Sequence, residues 1–273
     1  MKRALPTLLL HGVLVAGALL TLAPLLWMVS ASFMPDGEAN TFPPRLLPSA
    51  PTVRHYLDLF IRLDLGRQFA NSTLVAVVST LISLIVNSMA GYAFAKLRFG
   101  GRERTFRLLL VALVIPAQVC MLPLFLELKA MGLVNTYAGA IIPFMAGVFG
   151  IFMIRQYALS LPDELLDAAR VDGAGEFRIY WAIVLPVIRP ILVTLAVFVF
   201  LSAWNDFMWP LIVLTDEAKY TLPVALASLS GEHVQDTELM MAGSVVTVLP
   251  VVLLFVLLQR AYIRGVMMGS VKG

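Results

Sequence analysis

Long apolar stretches with few or no charged residues constrain this chain more than any other feature of its sequence. Six such stretches occur, at Leu8–Val29, Phe69–Ala95, Leu108–Leu126, Ala130–Ile154, Pro190–Asn205 and Leu239–Gln259. A helix that crosses the hydrocarbon core of a bilayer needs about 20 predominantly apolar residues. The pattern therefore predicts an all-α membrane protein with six transmembrane helices. We place these spans within a single domain over residues 1–273, at about residues 8–30, 69–95, 107–127, 131–155, 183–206 and 239–260.

The first span has an alternative interpretation as a signal peptide, and the fifth span has two possible starting points. The fifth extends upstream of Pro190 through Arg189, whose long side chain can reach the membrane interface. The first follows Lys2 and Arg3 and ends near a sequence that loosely resembles a signal-peptide cleavage site. Its uncharged run of 22 residues is longer than the apolar core of a signal peptide, which has roughly 7–15 residues. A retained helix is therefore favoured over a cleaved leader.

Composition agrees with a membrane protein and argues against several kinds of site. Apolar residues make up 60% of the chain and charged residues 14%, whereas a soluble domain has roughly 45–50% and about 25%. The single cysteine, Cys120, allows neither a disulfide framework nor a cysteine metal site. The histidines His11, His55 and His233 share no spacing and are interpreted as isolated polar side chains. We expect no metal, no cofactor and no catalytic residue in this chain.

The distribution of basic residues predicts the side of the membrane on which each loop lies. With a cytoplasmic N-terminus, 14 of the 20 basic residues lie in cytoplasmic segments and 11 of the 17 acidic residues lie outside. Cytoplasmic loops of membrane proteins carry an excess of lysine and arginine. Both termini are therefore predicted to be cytoplasmic, as is the segment between the fourth and fifth spans. The same excess of basic residues in cytoplasmic segments explains the net charge of +3, so the charge is no indication of nucleic-acid binding.

The segment Asp163–Pro186, DELLDAARVDGAGEFRIYWAIVLP, holds the densest cluster of mixed charge in the chain. Ser160 is expected to cap a helix of about ten residues, with Pro162 in its first turn. Gly173 is well placed to end that helix, and a second short helix is expected from about Glu176. A helix of about ten residues is roughly 15 Å long. It is too short to cross a bilayer and is expected to lie across the cytoplasmic face.

Charged and small residues on this helix suggest a role for it. Three acids within Asp163–Asp167 lie near the positive end of the helix dipole. Asp167 and Arg170 are three residues apart and can form an ion pair. Ala168 and Ala169 make a small-residue surface that the backbone of a partner can approach. A docking surface for a water-soluble partner and a solvated interfacial helix are both compatible with this pattern.

Proline and polar positions inside the spans give weaker signals. Pro116, Pro143 and Pro250 each remove a backbone hydrogen bond and are expected to kink their helices. Polar side chains in or beside the second span favour packing between helices over a transport pathway; these are Asn71, Ser72, Asn87 and Ser88. Asn205 and Asp206 are placed at the outer end of span five, where a structural role is one interpretation.

Part of the charged segment resembles the EAA loop of ABC importer permeases: Asp167-Ala168-Ala169, then Gly173, then Ile183, Leu185 and Pro186. The loop reads Glu-Ala-Ala, three residues, Gly, nine residues, Ile, any residue, Leu-Pro. The chain departs from it only at Asp167, which keeps the charge on a shorter side chain. Other residues resemble carbohydrate-type permeases along most of the chain: Asn71-Ser72, Ala90–Lys96, Gly132-Leu133, Asn135–Tyr137, Trp204–Asp206, Trp209–Leu211 and Val271–Gly273. Within this family the chain is similar to the smaller, maltose-transporter-G-type subunit.

The resemblance implies the type I ABC importer permease fold and a non-catalytic subunit that imports a sugar across the bacterial inner membrane. Such a subunit pairs with a second, homologous permease and receives sugar from a periplasmic or lipid-anchored binding protein. It docks on a dimer of ATP-binding subunits, which hold ATP and Mg. The residues implied in ATPase coupling belong to the loop 160–186; they are Glu164, Asp167, Ala168, Ala169, Asp172, Gly173, Ile183, Leu185 and Pro186. Lys272 and Gly273 are candidate contacts of the C-terminal tail with the ATPase dimer.

Other functions fit the sequence less well. An ion-coupled secondary carrier usually needs ionisable residues near the bilayer midplane, where a charge costs roughly 2.5–3.5 kcal/mol. The span interiors contain no clear acid, and Asp206 comes closest. A membrane-embedded enzyme needs a nucleophile–base or metal cluster, and the sequence has no G-x-x-x-x-G-K-[ST] phosphate loop for ATP hydrolysis. Within the ABC permeases, the maltose-type oligosaccharide and glycerol phosphate stay open as substrates.

Overall fold

The computed structural model describes the backbone of residues 4–62, 64–229 and 236–268, with side chains for residues 9–61, 64–229 and 236–259. The first seven α-helices are α1 (Ala4–Ala31), α2 (Arg54–Arg62), α3 (Leu65–Lys96), α4 (Arg102–Ala112), α5 (Ala117–Ala130), α6 (Tyr137–Ile141) and α7 (Val148–Ala158). The next seven are α8 (Asp163–Val171), α9 (Glu176–Ile179), α10 (Leu185–Val187), α11 (Arg189–Trp204), α12 (Met208–Val213), α13 (Leu222–Leu229) and α14 (Thr237–Met268). Short 3-10 helices occur at Glu38–Asn40, Ile142–Phe144 and Glu217–Lys219, and a π-helical turn at Tyr180–Val184.

Three of the described helices are long and apolar enough to cross a membrane alone. The qualifying stretches are Leu9–Ala31 of α1, the whole of α3, and Thr237–Gln259 of α14. Up to three further crossings are formed by pairs of helices that meet at a bend. The described chain therefore has the length and composition for up to six spans, which agrees with the six apolar stretches of the sequence.

The third expected span, residues 107–127, is two helices rather than one. α4 and α5 meet at 105°, and Pro116 precedes α5 in an extended conformation with φ −60° and ψ 133°. Proline lacks an N–H and disfavours the α conformation in the residue before it. The expected kink at this proline is thus a full break. Pro250, by contrast, lies inside the continuous helix α14.

The fourth and fifth expected spans also bend. Residues Tyr137–Phe144 meet α7 at 41°, and residues Glu176–Val187 meet α11 at 80°. The second bend lies at Ile188, and Pro190 follows in the first turn of α11, where its missing N–H cannot continue the preceding helix. Arg189 is exposed at this bend.

The chain divides into two compact units. One combines Met1–Arg67 with Leu222–Pro250, and the other combines Gln68–Thr221 with Val251–Gly273. The single transmembrane domain expected over residues 1–273 stays a prediction. The charged segment that the sequence singles out lies wholly within the second unit.

Polar bonds fix the loop that follows α1 in the first unit. The Ala39 N–H donates to the Glu238 carboxylate at 2.7 Å. The His55 ring nitrogen is 2.8 Å from the Met34 carbonyl oxygen, and His55 is buried. The role of His55 here is structural, which matches its interpretation as an isolated polar side chain.

The second unit is organised around α3, which has one apolar cluster towards each of its ends. The cluster near the start of α3 contains Val75, Leu128, Ala140, Ile141, Trp209, Val213 and Leu214. The cluster near its end, here called the inner cluster, includes Tyr92, Ala95, Ile154, Ala158, Leu161, Leu166, Ile179, Tyr180, Val184, Ile188, Ile191 and Leu195. At Gly91 an added Cβ would lie 2.6 Å from the Ile154 side chain, so glycine allows α3 and α7 to approach closely.

Polar side chains along α3 take part in packing. The Asn87 amide donates to the Ser83 hydroxyl at 2.7 Å, and the Ser88 and Tyr180 hydroxyls are 2.6 Å apart. All four residues are buried. These contacts support the packing interpretation of the polar positions in this helix.

Candidate functional site

α8 is the helix that the sequence predicts in the charged segment, and it covers the nine residues Asp163–Val171. Pro162 precedes it in an extended conformation and provides no side-chain cap. The prediction that Ser160 caps the helix is wrong, because the Ser160 hydroxyl donates to the Tyr157 carbonyl at 2.7 Å. Carbonyl groups at the end of α7 lack helical partners and compete for this hydroxyl.

The end of α8 is formed as predicted by Gly173. This residue has φ +83°, a left-handed conformation that glycine adopts without steric cost. The Gly173 N–H donates to the Arg170 carbonyl at 3.0 Å, and the Ala174 N–H donates to the Ala169 carbonyl at 2.9 Å. No atom lies within 4 Å of the position that a Cβ of Gly173 would occupy, so the space beside the turn is open.

Lys96, the last residue of α3, anchors the start of α8. Its ammonium group donates to the Leu161 carbonyl and to the Asp163 carboxylate, each at 2.6 Å. The Lys96 side chain is 6% exposed, whereas that of Asp163 is 74% exposed. The hydrogen bond and charge of Lys96 lower the pKa of Asp163. Water screens this exposed pair, so we assign the contact mainly a positioning role.

Arg170 links α8 to α9 and, through it, to α3. The Arg170 guanidinium donates to the carboxylates of Asp167 and Glu176, each at 2.7 Å. The Tyr92 hydroxyl donates to the other oxygen of Glu176 at 2.9 Å. The hydrogen bond from Arg170 is the largest cause that lowers the pKa of Glu176. The predicted Asp167–Arg170 pair is confirmed, and Glu176 extends it to Tyr92 of α3.

Apolar packing holds the opposite side of α8. Leu166 is 1% exposed and belongs to the inner cluster together with Tyr92 and Ile179. Ala169 is half-buried and packs against the same cluster. One buried leucine and two polar anchors therefore attach α8 to the end of α3, so that a displacement of either helix is resisted by the other.

Most of the predicted coupling residues lie on one exposed surface. This α8 face consists of Glu164, Asp167, Ala168, Asp172 and Gly173. Ile183 and Leu185 are half-buried and pack against the inner cluster, whereas Pro186 is exposed. The predicted set thus separates into the exposed α8 face, residues that support it, and Pro186, which belongs to neither group. Lys272 and Gly273 lie outside the described residues.

The sequence interpretation missed several residues of this site. Val171 is 87% exposed, Phe177 is 65% exposed and Leu165 is 43% exposed, so apolar side chains border the acidic α8 face. The sequence feature that could have identified these three residues is the presence of large apolar side chains in a segment too short and too charged to span the bilayer. Lys96 and Tyr92 were also not identified as anchors of α8.

The chemistry of the α8 face suits binding rather than catalysis. It presents carboxylates, a small alanine and an open glycine turn beside exposed apolar side chains. Among the described residues, no group of three or more His, Cys, Asp or Glu side chains could hold a metal ion. A cleft with basic and apolar groups would be complementary to this surface.

The structure is that of a helical membrane protein with a short, anchored helix, α8, outside its three long apolar helices. The sequence matches the family of binding-protein-dependent transport system inner membrane components over residues 87–267. The chain therefore belongs to this family. It is a multi-pass membrane permease subunit, and such subunits of ABC transporters are non-catalytic.

Individual relatives agree with this assignment over nearly the full chain. The arabinooligosaccharides transport system permease protein AraQ of Halalkalibacterium halodurans is 40% identical over 259 residues, which cover 94% of this chain and 93% of AraQ. The lactose transport system permease protein LacG of Rhizobium radiobacter is 34% identical over 272 residues, covering 100% and 98% of the two chains. A chain of a bacterial ABC transporter involved in alginate import has the same fold, with a TM-score of 0.84, 24% identity, and coverage of 95% of this chain and 97% of that chain.

Proposed function

We propose that this chain is the permease subunit of an ATP-driven importer of an oligosaccharide, and that the α8 face docks on an ATP-binding subunit. One observation carries the docking proposal: α8 is exposed on one side and fixed to the end of α3 on the other. Lys96 and Tyr92 provide the polar attachment, and Leu166 provides the buried one. A solvated interfacial helix without a partner would need no such attachment.

The attachment supplies a mechanism for coupling. When the ATP-binding subunits close on ATP, a force on the α8 face passes to α3 through Lys96 and through Glu176 to Tyr92. α3 has 32 residues, a length of roughly 48 Å at 1.5 Å per residue, and so extends through the bilayer. Net work requires that ATP bind the two conformations of the transporter with different affinities. The chain itself transmits this difference and forms no bond with the nucleotide.

The proposal includes an orientation and a set of partners. The α8 face and both termini lie on the cytoplasmic side of the bacterial inner membrane, as the excess of basic residues in those segments favours. A second, homologous permease completes the pathway, and a dimer of ATP-binding subunits holds ATP and Mg. A binding protein, periplasmic or lipid-anchored, delivers the substrate from the other side. Family membership and the alginate transporter chain of the same fold support this arrangement.

An oligosaccharide is the substrate class indicated by AraQ and LacG, whereas a further relative, 31% identical over 264 residues, is named for sn-glycerol-3-phosphate transport. AraQ and LacG are named for arabinooligosaccharides and lactose, and the structural neighbour is involved in the import of a polysaccharide. Each of these substrates contains two or more sugar units. The narrower expectation of a maltose-type oligosaccharide, and the alternative of glycerol phosphate, stay predictions to be tested with the binding protein.

Site-directed cross-linking tests the docking proposal. In a chain with Cys120→Ser, a cysteine at exposed Ala168 is expected to cross-link to a co-purified ATP-binding subunit. The matched control places the cysteine at Ala130, which is exposed at the end of α5 and is expected to lie on the opposite side of the membrane. Equal cross-linking at both positions, or none at Ala168 in an intact complex, would contradict docking through α8.

Uptake measurements test the substrate and the class of transporter. Deletion of this chain from its host is expected to abolish ATP-dependent uptake of one oligosaccharide among arabino-, malto- and galacto-oligosaccharides, and to leave glycerol phosphate uptake unchanged. Loss of glycerol phosphate uptake alone would show that the substrate is glycerol phosphate and not an oligosaccharide. Ion-driven uptake by the purified chain in proteoliposomes, without ATP-binding subunits, would show a secondary carrier instead.

A further inference from the structure

The turn between α3 and α4 gathers four arginines around one cavity. Gly101 has φ +80°, and the Thr105 N–H donates to its carbonyl at 2.9 Å, which fixes the reversal of the chain. The cavity has a volume of about 690 Å³; its lining includes Arg98, Arg102, Arg104 and Arg107, together with Phe99 and Glu103. These four arginines are called the basic corner below.

Positive charge in the basic corner exceeds the negative charge available to it. Glu103 is 3.1 Å from Arg155 and 3.4 Å from Arg102. Arg155 is only 12% exposed, so the Glu103 charge serves first to balance a nearly buried cation. Among the described residues, neither Arg98 nor Arg104 has a hydrogen-bond or ion-pair partner, and both are exposed. The charge of Arg98 also acts on the Asp163 carboxylate, but neither guanidinium group donates a hydrogen bond to any described residue, so both can bind an anion.

Apolar side chains adjoin these arginines. Phe99 is 44% exposed and Leu108 is 71% exposed. Because α4 and α5 meet at 105°, the two helices cannot both run along the membrane normal. Arginines beside exposed apolar groups at a membrane boundary match the two parts of a phospholipid, whose phosphate binds guanidinium groups and whose acyl chains bind apolar ones.

We propose that the basic corner binds the headgroup of an anionic phospholipid from the cytoplasmic leaflet. Its phosphate lies between Arg98 and Arg104, and its acyl chains follow α4 past Leu108. Charge complementarity selects this occupant, because a guanidinium binds phosphate oxygens in a bidentate manner and a zwitterionic lipid adds a cation that the arginines repel. An acidic protein surface would match the charge but would leave the exposed parts of Phe99 and Leu108 in contact with water.

The basic corner lies next to the anchor of α8, so a lipid bound there would also affect that helix. Arg98 and Arg102 also line the groove that contains Lys96 and Asp163. A lipid headgroup in the basic corner therefore sits beside the anchor of α8 and attaches that anchor to the bilayer. The leaflet assignment rests on the cytoplasmic orientation proposed above, whereas the lipid preference itself can be measured without any ATP-binding subunit.

Native mass spectrometry of the full chain in mild detergent tests the proposal. The chain is titrated with phosphatidylglycerol or phosphatidylcholine of identical acyl chains, and the wild type is expected to retain phosphatidylglycerol preferentially. The double variant R98Q/R104Q is expected to lose about 25-fold in phosphatidylglycerol retention. This figure assumes a factor of about five for each basic residue near an anionic surface. The control R178Q/R189Q removes the same charge from exposed positions outside the basic corner and is expected to keep the preference.

Each other result would overturn the proposal. No preference in the wild type means that the corner selects no anionic lipid. Equal loss in R98Q/R104Q and the control means that overall charge, not this site, attracts the lipid. Unchanged lipid retention in R98Q/R104Q together with lost co-purification of an ATP-binding subunit means that the corner is a protein contact. Cross-linking from Ala168 reports separately on docking through α8, so failure of one proposal does not imply failure of the other.

Discussion

The two ends of α3 are held by different chemistry. Near Leu65, neutral amides make the attachments: the Asn71 amide donates to the carbonyls of Ala218 and Tyr220, each at 3.0 Å. The Tyr137 hydroxyl donates to the Asn71 oxygen at 2.7 Å. Near Lys96, the attachments include ion pairs with two carboxylates, those of Asp163 and Glu176, whose side chains are 74% and 45% exposed.

The difference fits two mechanical tasks. Hydrogen bonds between an amide side chain and backbone carbonyls involve no ionised group, so they hold the loop at Glu217–Tyr220 independently of charge. Ion pairs with exposed carboxylates can be exchanged for the charges of a partner at little cost, since exposed pairs contribute only about 0–1 kcal/mol. The Leu65 end is therefore suited to stay fixed, and the Lys96 end is suited to meet a partner.

The largest effect is expected when a bulky side chain replaces glycine at one of two comparable turns, one next to α8 and one next to α5. Gly173 follows α8 and Gly132 follows α5, with φ values of +83° and +71°, and no atom lies within 4 Å of either missing Cβ. Gly173→Trp is expected to abolish transport and co-purification of the ATP-binding subunit, because the indole occupies the docking face. Gly132→Trp carries the same backbone strain and the same bulk and is expected to leave that co-purification intact.

Gly173→Ala separates bulk from backbone strain. An alanine in the left-handed conformation costs roughly 1–2 kcal/mol and adds only a methyl group to the docking face. We expect this variant to enter the membrane and to keep most of its transport activity. Normal uptake by Gly173→Trp would remove the docking assignment, and equal loss in the alanine variant would assign the effect to the backbone turn.

Removing the anchors one at a time gives the next largest effect. Lys96→Met keeps the length of the side chain but leaves the Leu161 carbonyl without its ammonium donor. Loss of such a bond costs about 1–3 kcal/mol, and we expect transport and ATPase binding to fall about tenfold, which corresponds to about 1.4 kcal/mol. Asn71→Leu is the counterpart at the other end and should lower thermal stability in detergent while ATPase binding persists. The reverse pattern would contradict the division of tasks.

Acidification is expected to loosen the Lys96 end more than the Leu65 end, where the ion pairs Arg67–Asp64 and Lys219–Asp216 are local contacts between residues three apart. Lys96 and Arg170 hold the pKa values of Asp163 and Glu176 below their ordinary values of 3.8 and 4.5. A carboxyl with a lowered pKa in the folded state stabilises it above the unfolded pKa and loses that effect as the pH falls through the folded value. The stabilisation is therefore complete at neutral pH and is lost below the ordinary value of 4.5 for Glu176.

Hydrogen exchange can measure this selectivity. The Thr215 and Asp216 N–H groups donate to the neutral Asn135 side-chain oxygen, each at 3.1 Å. Between pH 7 and strongly acidic pH, protection factors are expected to fall for the amides of α8 and to persist for these two. An equal fall at both places would indicate general unfolding rather than titration of the anchors.

The helix α8 could be predicted because its determinants are local. Gly173 ends it, and Asp167 pairs with Arg170 one turn away, so a short stretch of sequence contains the necessary information. Ser160 shows the limit of such rules, because a hydroxyl between two helices has acceptors at the end of the first and donors at the start of the second. Its choice depends on the geometry of the turn.

The anchors of α8 and the bends of the spans could not be predicted in the same way. Lys96 and Asp163 are 67 residues apart, and Tyr92 and Glu176 are 84 residues apart, so only the packed fold brings them together. Apolar stretches indicate how many crossings are available, but the same composition allows a straight span or two helices at 105°. Proline is tolerated in membrane helices when neighbouring groups satisfy the freed carbonyl, so its effect depends on the surrounding fold. Pro116 lies at a break between two helices, whereas Pro250 lies inside a continuous helix.

The smallest expected effect is that of Asp167→Glu, which introduces the residue of the related loop. The Asp167 carboxylate is 2.7 Å from Arg170 and its side chain is 66% exposed, so a longer acid has room to keep the pair. A helical ion pair at this spacing contributes about 0.2–0.5 kcal/mol, and we expect ATPase binding within about twofold of wild type. Asp167→Lys is the control, since it places a cation beside Arg170 on the α8 face and should weaken binding clearly. Loss of ATPase binding in the glutamate variant would mean that the partner cleft is fitted to the shorter acid. In that case the Lys96 end would be less adaptable than its exposed ion pairs suggest.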